Sequence, residues 1–260
     1  TEYNLPYGTE PPQQNDPKLN LFSIVIALFI AIAIMFVLMR FKAQIVIRGW
    51  FFLIIVFALG ITLNAGLLKF SYSSLIALII ALPLAFFKVF RRNIIVHNIT
   101  ELMIYPGIAA IFVPLLNITT VILLLIFISL YDMYAVWHSG FMQKMAKYQI
   151  RQLKIFSGFF IPYLGKKEQA MIEKIRSSKL KDRKIKMHVA ILGGGDVVFP
   201  MILAGVVLRH WGMFEALIII IGATLALAGL FYYSEKGKFY PAMPFISAGC
   251  FLALIIVYLI

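Results

Sequence analysis

This chain predicts an all-α protein that crosses a membrane many times, and three observations predict it. Of its 260 residues, 62% are hydrophobic and 13% charged, with a mean hydropathy of +0.93. Soluble domains run nearer half apolar and a quarter charged. The apolar residues gather into eight windows of about 20 residues, the length that crosses a hydrocarbon core as a helix. Between them lie polar or basic loops, and a helix satisfies its own backbone in lipid where an open sheet leaves an edge unpaired. A net charge of +13 points to nucleic acid in a soluble chain. Here the basic residues sit in loops that meet anionic headgroups, so the lipid bilayer is the expected partner and nucleic acid is not.

In chain order, residues 1–18 are polar, proline-rich and acidic, and read as an extracytoplasmic segment. Neither an initial Met nor a signal-peptide pattern precedes the first window, so a first helix is expected before residue 1. The windows 19–39, 47–68, 72–90, 94–113 and 115–137 make an N-terminal bundle spanning 19–137. A basic loop, 138–187, follows. From His138 to Ile161 it spreads Phe141, Met145, Tyr148, Ile155, Phe156, Phe159 and Phe160 among lysines and arginines, as an interfacial amphipathic helix does. Pro162 is expected to end that helix, and the loop reads either as a solvated linker or, through its apolar half, as a cover or gate for a site. Residues 165–187 are mostly charged and are expected to be mobile. The windows 188–208, 213–233 and 241–260 complete a C-terminal unit, 188–260. The single cysteine, Cys250, lies in an apolar run and is a packing residue.

The basic residues orient the bundle. Alternate loops hold 21 of the 24 Lys and Arg, leaving Lys18, Lys69 and Arg209 on the opposite side. Positive charge stays cytoplasmic, which puts the long loop inside and the C-terminus outside. Two acids then stand out within apolar windows, Asp132 and Asp196. An ionisable group in the bilayer is costly and marks function by default. Counting from the cytoplasmic ends at 1.5 Å per residue puts them roughly 9 and 12 Å deep on successive antiparallel helices, where they can meet.

Two carboxyls in hydrogen-bond reach retain one proton between them. The ionised member takes a proton from water while the protonated one donates to a carbonyl oxygen, the chemistry of amide hydrolysis without a covalent intermediate. Their neighbours suit it. Tyr131 precedes Asp132 and buttresses it. Gly193, Gly194 and Gly195 precede Asp196, allow close backbone approach and loosen the helix. Pro200 removes the usual hydrogen bond to the Asp196 carbonyl. Pro241, Ala242, Met243 and Pro244 open the last window and prevent a regular helix start, leaving an unwound stretch that can pair with an extended substrate.

Tyr131-Asp132, Gly193-Gly194-Gly195-Asp196 and Pro241-Ala242-Met243, in that order, resemble the presenilin and signal peptide peptidase family of intramembrane aspartyl proteases. The family pattern is Tyr-Asp, Gly-x-Gly-Asp and Pro-Ala-Leu on three helices. The resemblance covers nearly the whole chain and implies a nine-helix fold, of which eight helices are visible here. It implies two catalytic aspartates, Asp132 and Asp196, and cleavage of peptide bonds within transmembrane helices that enter laterally and unwind. It implies no metal or organic cofactor; water is the second substrate. Met243 stands where the family has Leu, a volume-conserving change. The cytoplasmic catalytic loop matches presenilin, signal peptide peptidases having the opposite orientation, and the short chain is similar to a stand-alone prokaryotic-type homologue.

Other polar residues carry weaker signals. His97, Asn98, Thr100 and Glu101 read as a polar first turn at the interface, with Glu101 also able to line a cavity beside the acids. Glu215 is expected to be solvated at a helix end. The four histidines are scattered, with no HExxH, which argues against a zinc protease. His138-Ser139-Gly140 lacks the Gly-x-Ser-Gly of rhomboid enzymes. Asn98-Ile99-Thr100 and Asn117-Ile118-Thr119 fit the glycosylation sequon but fall in or beside spans. The rival class is a proton- or cation-coupled transporter or channel built on the paired acids. It predicts inverted sequence repeats, and the two aspartates have unlike flanks.

Overall fold

Residues 16–70, 72–91, 93–139, 157–163, 188–234 and 240–259 are described by the computed structural model. Among them run eight α-helices: α1 (Pro17–Arg40), α2 (Gln44–Gly66), α3 (Ser73–Phe90), α4 (Ile94–Phe112), α5 (Ile118–Tyr134), α6 (Gly195–His210), α7 (Met213–Tyr233) and α8 (Met243–Leu259). The first five, with α5 extended through the helical turn that follows it to His138, and α7 are long and apolar enough to cross a membrane, whereas α6 and α8 have 16 and 17 residues. Side chains cap several starts. Asp16 accepts from the Lys18 N–H, Asn93 from those of Ile95 and Val96, and Asn117 forms a capping box with Thr120.

Lipid offers helices no hydrophobic reason to associate, so close packing of small residues takes over. A Cβ added to Gly107 of α4 would fall 2.1 Å from the Ala58 carbonyl oxygen of α2. Between α7 and α8 the approach is mutual: a Cβ on Gly222 or Gly249 would fall 2.7 or 2.5 Å from the other's carbonyl oxygen. On α3, Ala77, Ala81 and Ala85 form a fully buried stripe at four-residue spacing. Pro106 interrupts the bonding of α4, and the Thr62 hydroxyl of α2 donates to the nearby Met103 carbonyl at 2.6 Å. At the centre lies α6, packed against α4, α5, α7 and α8, with Val198, Ile202, Leu203, Val206 and Val207 all buried. At the edge lies α1, which buries none of its residues.

Two expected helices are corrected. The window 188–208 is not one helix. It begins as strand β2 (His188–Gly193) and becomes helical only at Gly195. Nor does a helix extend to Ile161, because residues 158–163 form strand β1 (Gly158–Tyr163), antiparallel to β2 with Gly158 opposite Gly193, Phe160 opposite Ile191 and Pro162 opposite Val189. The outer edge of β1 is tolerated inside the bundle because side chains of α4 satisfy its backbone groups. Gly158 and Phe160 turn their N–H and C=O away from β2, and Pro162 alternates with them. Its missing N–H therefore costs no ladder bond, and Pro162 sits inside a strand rather than ending a helix. A π-helical turn at Ala135–Ser139 follows α5. Most of the proposed amphipathic helix, the charged segment 165–187 and residues 1–15 lie outside the described residues.

Candidate active site

Helix α5 delivers Asp132 in its last turn, buried at 5% exposure. The Asp132 Oδ2 accepts the Met243 N–H at 3.1 Å, and the Ala242 N–H also faces this carboxyl. Met243 is the first residue of α8, so its N–H has no partner within its own helix. Pro241 and Pro244 flank the pair, and neither proline supplies an N–H, which leaves Ala242 and Met243 as the donors. The expected irregular start of the last helix is thus present, and its function here is to cap a carboxylate from another helix. Four residues into α8, Ser247 meets the Ser129 hydroxyl of α5 at 2.9 Å. These two contacts pin the antiparallel pair along one face.

Asp196 lies in the first turn of α6, directly after β2, and not about two turns into a helix as the sequence predicts. The strand carries the chain towards Asp196 at about 3.3 Å per residue, where a helix advances 1.5 Å. The glycine run is correspondingly not a loosened helix. Gly193 ends β2, Gly194 precedes the first turn and Gly195 opens α6. The Gly193 N–H bonds the Asp196 carboxyl, and a Cβ there would stand 3.1 Å from Asp196 Oδ2. Gly194 is buried, donates its N–H to the Ser157 carbonyl at 3.2 Å, and would press a Cβ to 3.1 Å from the Tyr105 hydroxyl. Gly195 is exposed, and a Cβ there meets only Phe199 at an ordinary 3.4 Å. Asp132 and Asp196 lie within electrostatic reach of each other. Tyr131 stands half-buried beside Asp132, whose charge it feels.

Behind this pair lies a polar cluster that the sequence reading placed at the membrane interface. Instead, His97, Thr100 and Glu101 are buried, Glu101 at 0% exposure. Lys88, counted among the loop charges, is itself buried at the end of α3 and forms an ion pair with Glu101 Oε1. A buried carboxylate is tolerated only when paired and hydrogen-bonded. The same oxygen accepts the Gly158 N–H of β1 at 3.2 Å. One turn on, the buried Tyr105 hydroxyl faces the Glu101 carboxyl and feels the charge of Asp196. The sequence signal for this cluster is the spacing of His97, Glu101 and Tyr105 at i, i+4 and i+8, which lines one helical face through an apolar window.

Known proteins resemble this chain in family and in fold. A family model described as signal-peptide peptidase, presenilin aspartyl protease matches residues 4–260. The fold is similar to that of a presenilin family intramembrane aspartate protease solved in space groups P2 and C222. The P2 structure superposes with a TM-score of 0.62 at 18% identity, covering 97% of this chain and 87% of that one. For the C222 structure the TM-score is 0.63 at 20% identity, covering 97% and 89%. No curated protein sequence matches significantly. The transporter alternative finds no support in these comparisons.

Proposed function

Because the chain belongs to the signal-peptide peptidase and presenilin aspartyl protease family, a family of multi-pass intramembrane proteases, we propose that it is an endopeptidase that cuts peptide bonds inside transmembrane helices, with Asp132 and Asp196 as the catalytic pair. The observation that carries this reading is the convergence of the two acids from adjacent helices. Asp132 is buried against the Met243 N–H and lies within electrostatic reach of Asp196.

The chemistry follows from the pair sharing one proton. The ionised carboxylate removes a proton from water as the oxygen attacks the scissile carbonyl carbon, and the protonated carboxyl donates to the carbonyl oxygen. The gem-diol then collapses as a proton passes to the amide nitrogen and the C–N bond breaks, giving a carboxyl and an amine. A helical amide is shielded and hydrogen-bonded, so the substrate span must unwind first. The outward side of β2 suits an unwound segment. Val189 and Ile191 lie opposite Pro162 and Phe160, whose backbone groups face away from the ladder. By the alternation of an antiparallel pair, the N–H and C=O groups of Val189 and Ile191 face away as well, on an edge that no further strand covers among the described residues. A segment added there as a strand would run its backbone past Gly193 and towards Asp196. In this reading the long basic loop is cytoplasmic and the C-terminus extracytoplasmic, as the charge asymmetry requires.

The test is cleavage of a labelled single-span substrate by purified protein in detergent, with products mapped by mass spectrometry. Cuts inside the span that disappear in both Asp132→Asn and Asp196→Asn are the expected result. Cleavage that survives in either variant would remove that residue from the mechanism.

A further inference from the structure

One face of α4 acts on β1 as a neighbouring strand would. Gly158 and Phe160, the two residues whose backbone groups point away from β2, have all four of those groups bonded to α4 side chains. The Gly158 N–H goes to Glu101 Oε1 at 3.2 Å, and the Gly158 carbonyl meets His97 Nε2 at 2.8 Å. Because a carbonyl can only accept, that ring nitrogen carries the proton. Asn98 serves Phe160 with both ends of its amide: Oδ1 accepts the Phe160 N–H at 3.1 Å, and Nδ2 donates to its carbonyl at 2.8 Å. An Asn amide has the donor and acceptor of a peptide unit, so this is the bonding of a third strand supplied by side chains. Rings reinforce it, His97 against Phe160 at 4.8 Å and Tyr105 edge-on to Phe159 at 5.4 Å. Lys88 neutralises the one charge in the set.

We propose that His97, Asn98 and Glu101 are positioning residues that close the outer edge of β1 and lock the register of the sheet, so that substrate can add only to β2 and the bond presented to the aspartates is fixed. The inference rests on the proteolytic reading above. It accounts for the buried His97, Glu101 and Lys88 and the half-buried Asn98 in an apolar bundle, at a cost that packing alone does not explain. It also gives the sheet a definite side. A two-stranded sheet has two edges that can accept a third strand. Among the described residues one edge is occupied by α4, and the other, which leads to Gly193 and Asp196, meets no further strand. A sheet free to slip by one residue would move every carbonyl along it, and the cut with it.

The experiment compares Asn98→Ala, His97→Ala and His97→Gln with wild type, and with Ile99→Ala on the exposed face of the same turn. Amide hydrogen exchange at Gly158 and Phe160 is read beside the spectrum of cleavage sites on a single-span substrate, with thermal midpoints as the folding control. Asn98→Ala is expected to speed Phe160 exchange at least tenfold and to spread cleavage over neighbouring bonds. His97→Ala removes the partner of the Gly158 carbonyl, and by releasing that residue should also spread cleavage and speed exchange of the Gly158 N–H that Glu101 holds. His97→Gln, which carries an amide N–H where the imidazole carries its own, should restore much of both, and Ile99→Ala should change neither. Unchanged exchange in Asn98→Ala and His97→Ala would overturn the anchor. Faster exchange with an unaltered cleavage spectrum would overturn its role in register. If Asn98→Ala does not fold, the contrast between His97→Ala and His97→Gln decides the same two points. A wild type that cleaves nothing overturns the proteolytic reading and the register claim with it, while the exchange data still judge the anchor.

Discussion

The two aspartates are held by different means. Asp132 belongs to a regular helix and is gripped from outside, by the first amide of α8 and by the seam that continues through Ser129 and Ser247. Asp196 sits at a junction and is gripped by its own chain, through the Gly193 N–H and a strand-to-helix turn in which a Cβ at 193 or 194 would press to 3.1 Å on a neighbouring side chain. One carboxylate depends on how two distant helices dock, the other on how six or seven consecutive residues bend. A pair built this way can be misaligned by either error separately. Mutations on the two sides should therefore give different kinetic signatures.

The largest effect removes the chemistry itself. Asp132→Asn and Asp196→Asn should each lower kcat by about 10³-fold or more, since general acid–base catalysis contributes roughly 10²–10⁴-fold. Combining them should cost little beyond either alone, because the pair works as one unit. Next in size is the grip on Asp132. Met243→Pro deletes the N–H that Asp132 accepts, at a helix position where proline fits. A misplaced reacting group costs about 100-fold, and that is the expected loss in kcat. Met243→Ala keeps the N–H and empties a buried pocket instead, so it should lower stability by about 2–5 kcal/mol with a smaller loss of turnover. Equal turnover in the two variants would mean that the hydrogen bond does not matter.

The grip on Asp196 is tested by moving a methyl group along the glycine run. Gly193→Ala forces a Cβ to 3.1 Å from the carboxylate, which must shift by a few tenths of an ångström. The expected loss is about tenfold in kcat, a fraction of the roughly 100-fold for a full ångström. Gly195→Ala meets only ordinary contact with Phe199, so it should stay within about threefold of wild type and gain a little helix propensity. A steady-state assay on both, with thermal midpoints, checks the order. If Gly195→Ala is the more damaging, close approach by substrate rather than crowding at Asp196 is what the glycines serve.

The same contrast explains what was legible in the sequence. Helix existence was, because 20-residue apolar windows have few alternatives in lipid. The acids and the Pro-Ala-Met-Pro start were also legible, because a buried charge and two helix-breaking prolines each carry a local cost that demands a reason. The sheet was not. Residues 188–193 are apolar and continuous with α6, and periodicity does not separate such a run from a buried helix. What makes it a strand is a partner some 30 residues earlier in the chain and the polar face of α4 beyond that. His97, Asn98 and Glu101 were visible as residues but read as an interfacial turn, since nothing local says that Lys88 and β1 are there to satisfy them.

The smallest predicted effect tests how far the docking seam reaches. Ser129 and Ser247 share a hydrogen bond at 2.9 Å, about one turn away from the Asp132–Met243 contact. Ser129 also donates to its own Leu125 carbonyl, so the hydroxyl keeps a partner when Ser247 is lost. Hydrogen bonds between membrane helices average about 0.6 kcal/mol, so Ser247→Ala should lower stability by about that much. If the seam only joins α5 to α8, turnover should not change. If it also sets the angle at which α8 presents its first amide, kcat should fall about twofold to threefold while KM holds, because roughly 0.6 kcal/mol corresponds to a factor of about three. Ser129→Ala should match it, and the double variant should equal either single one. An additive double variant would show the two hydroxyls acting through separate contacts, and Asp132 would then depend on the Met243 amide alone.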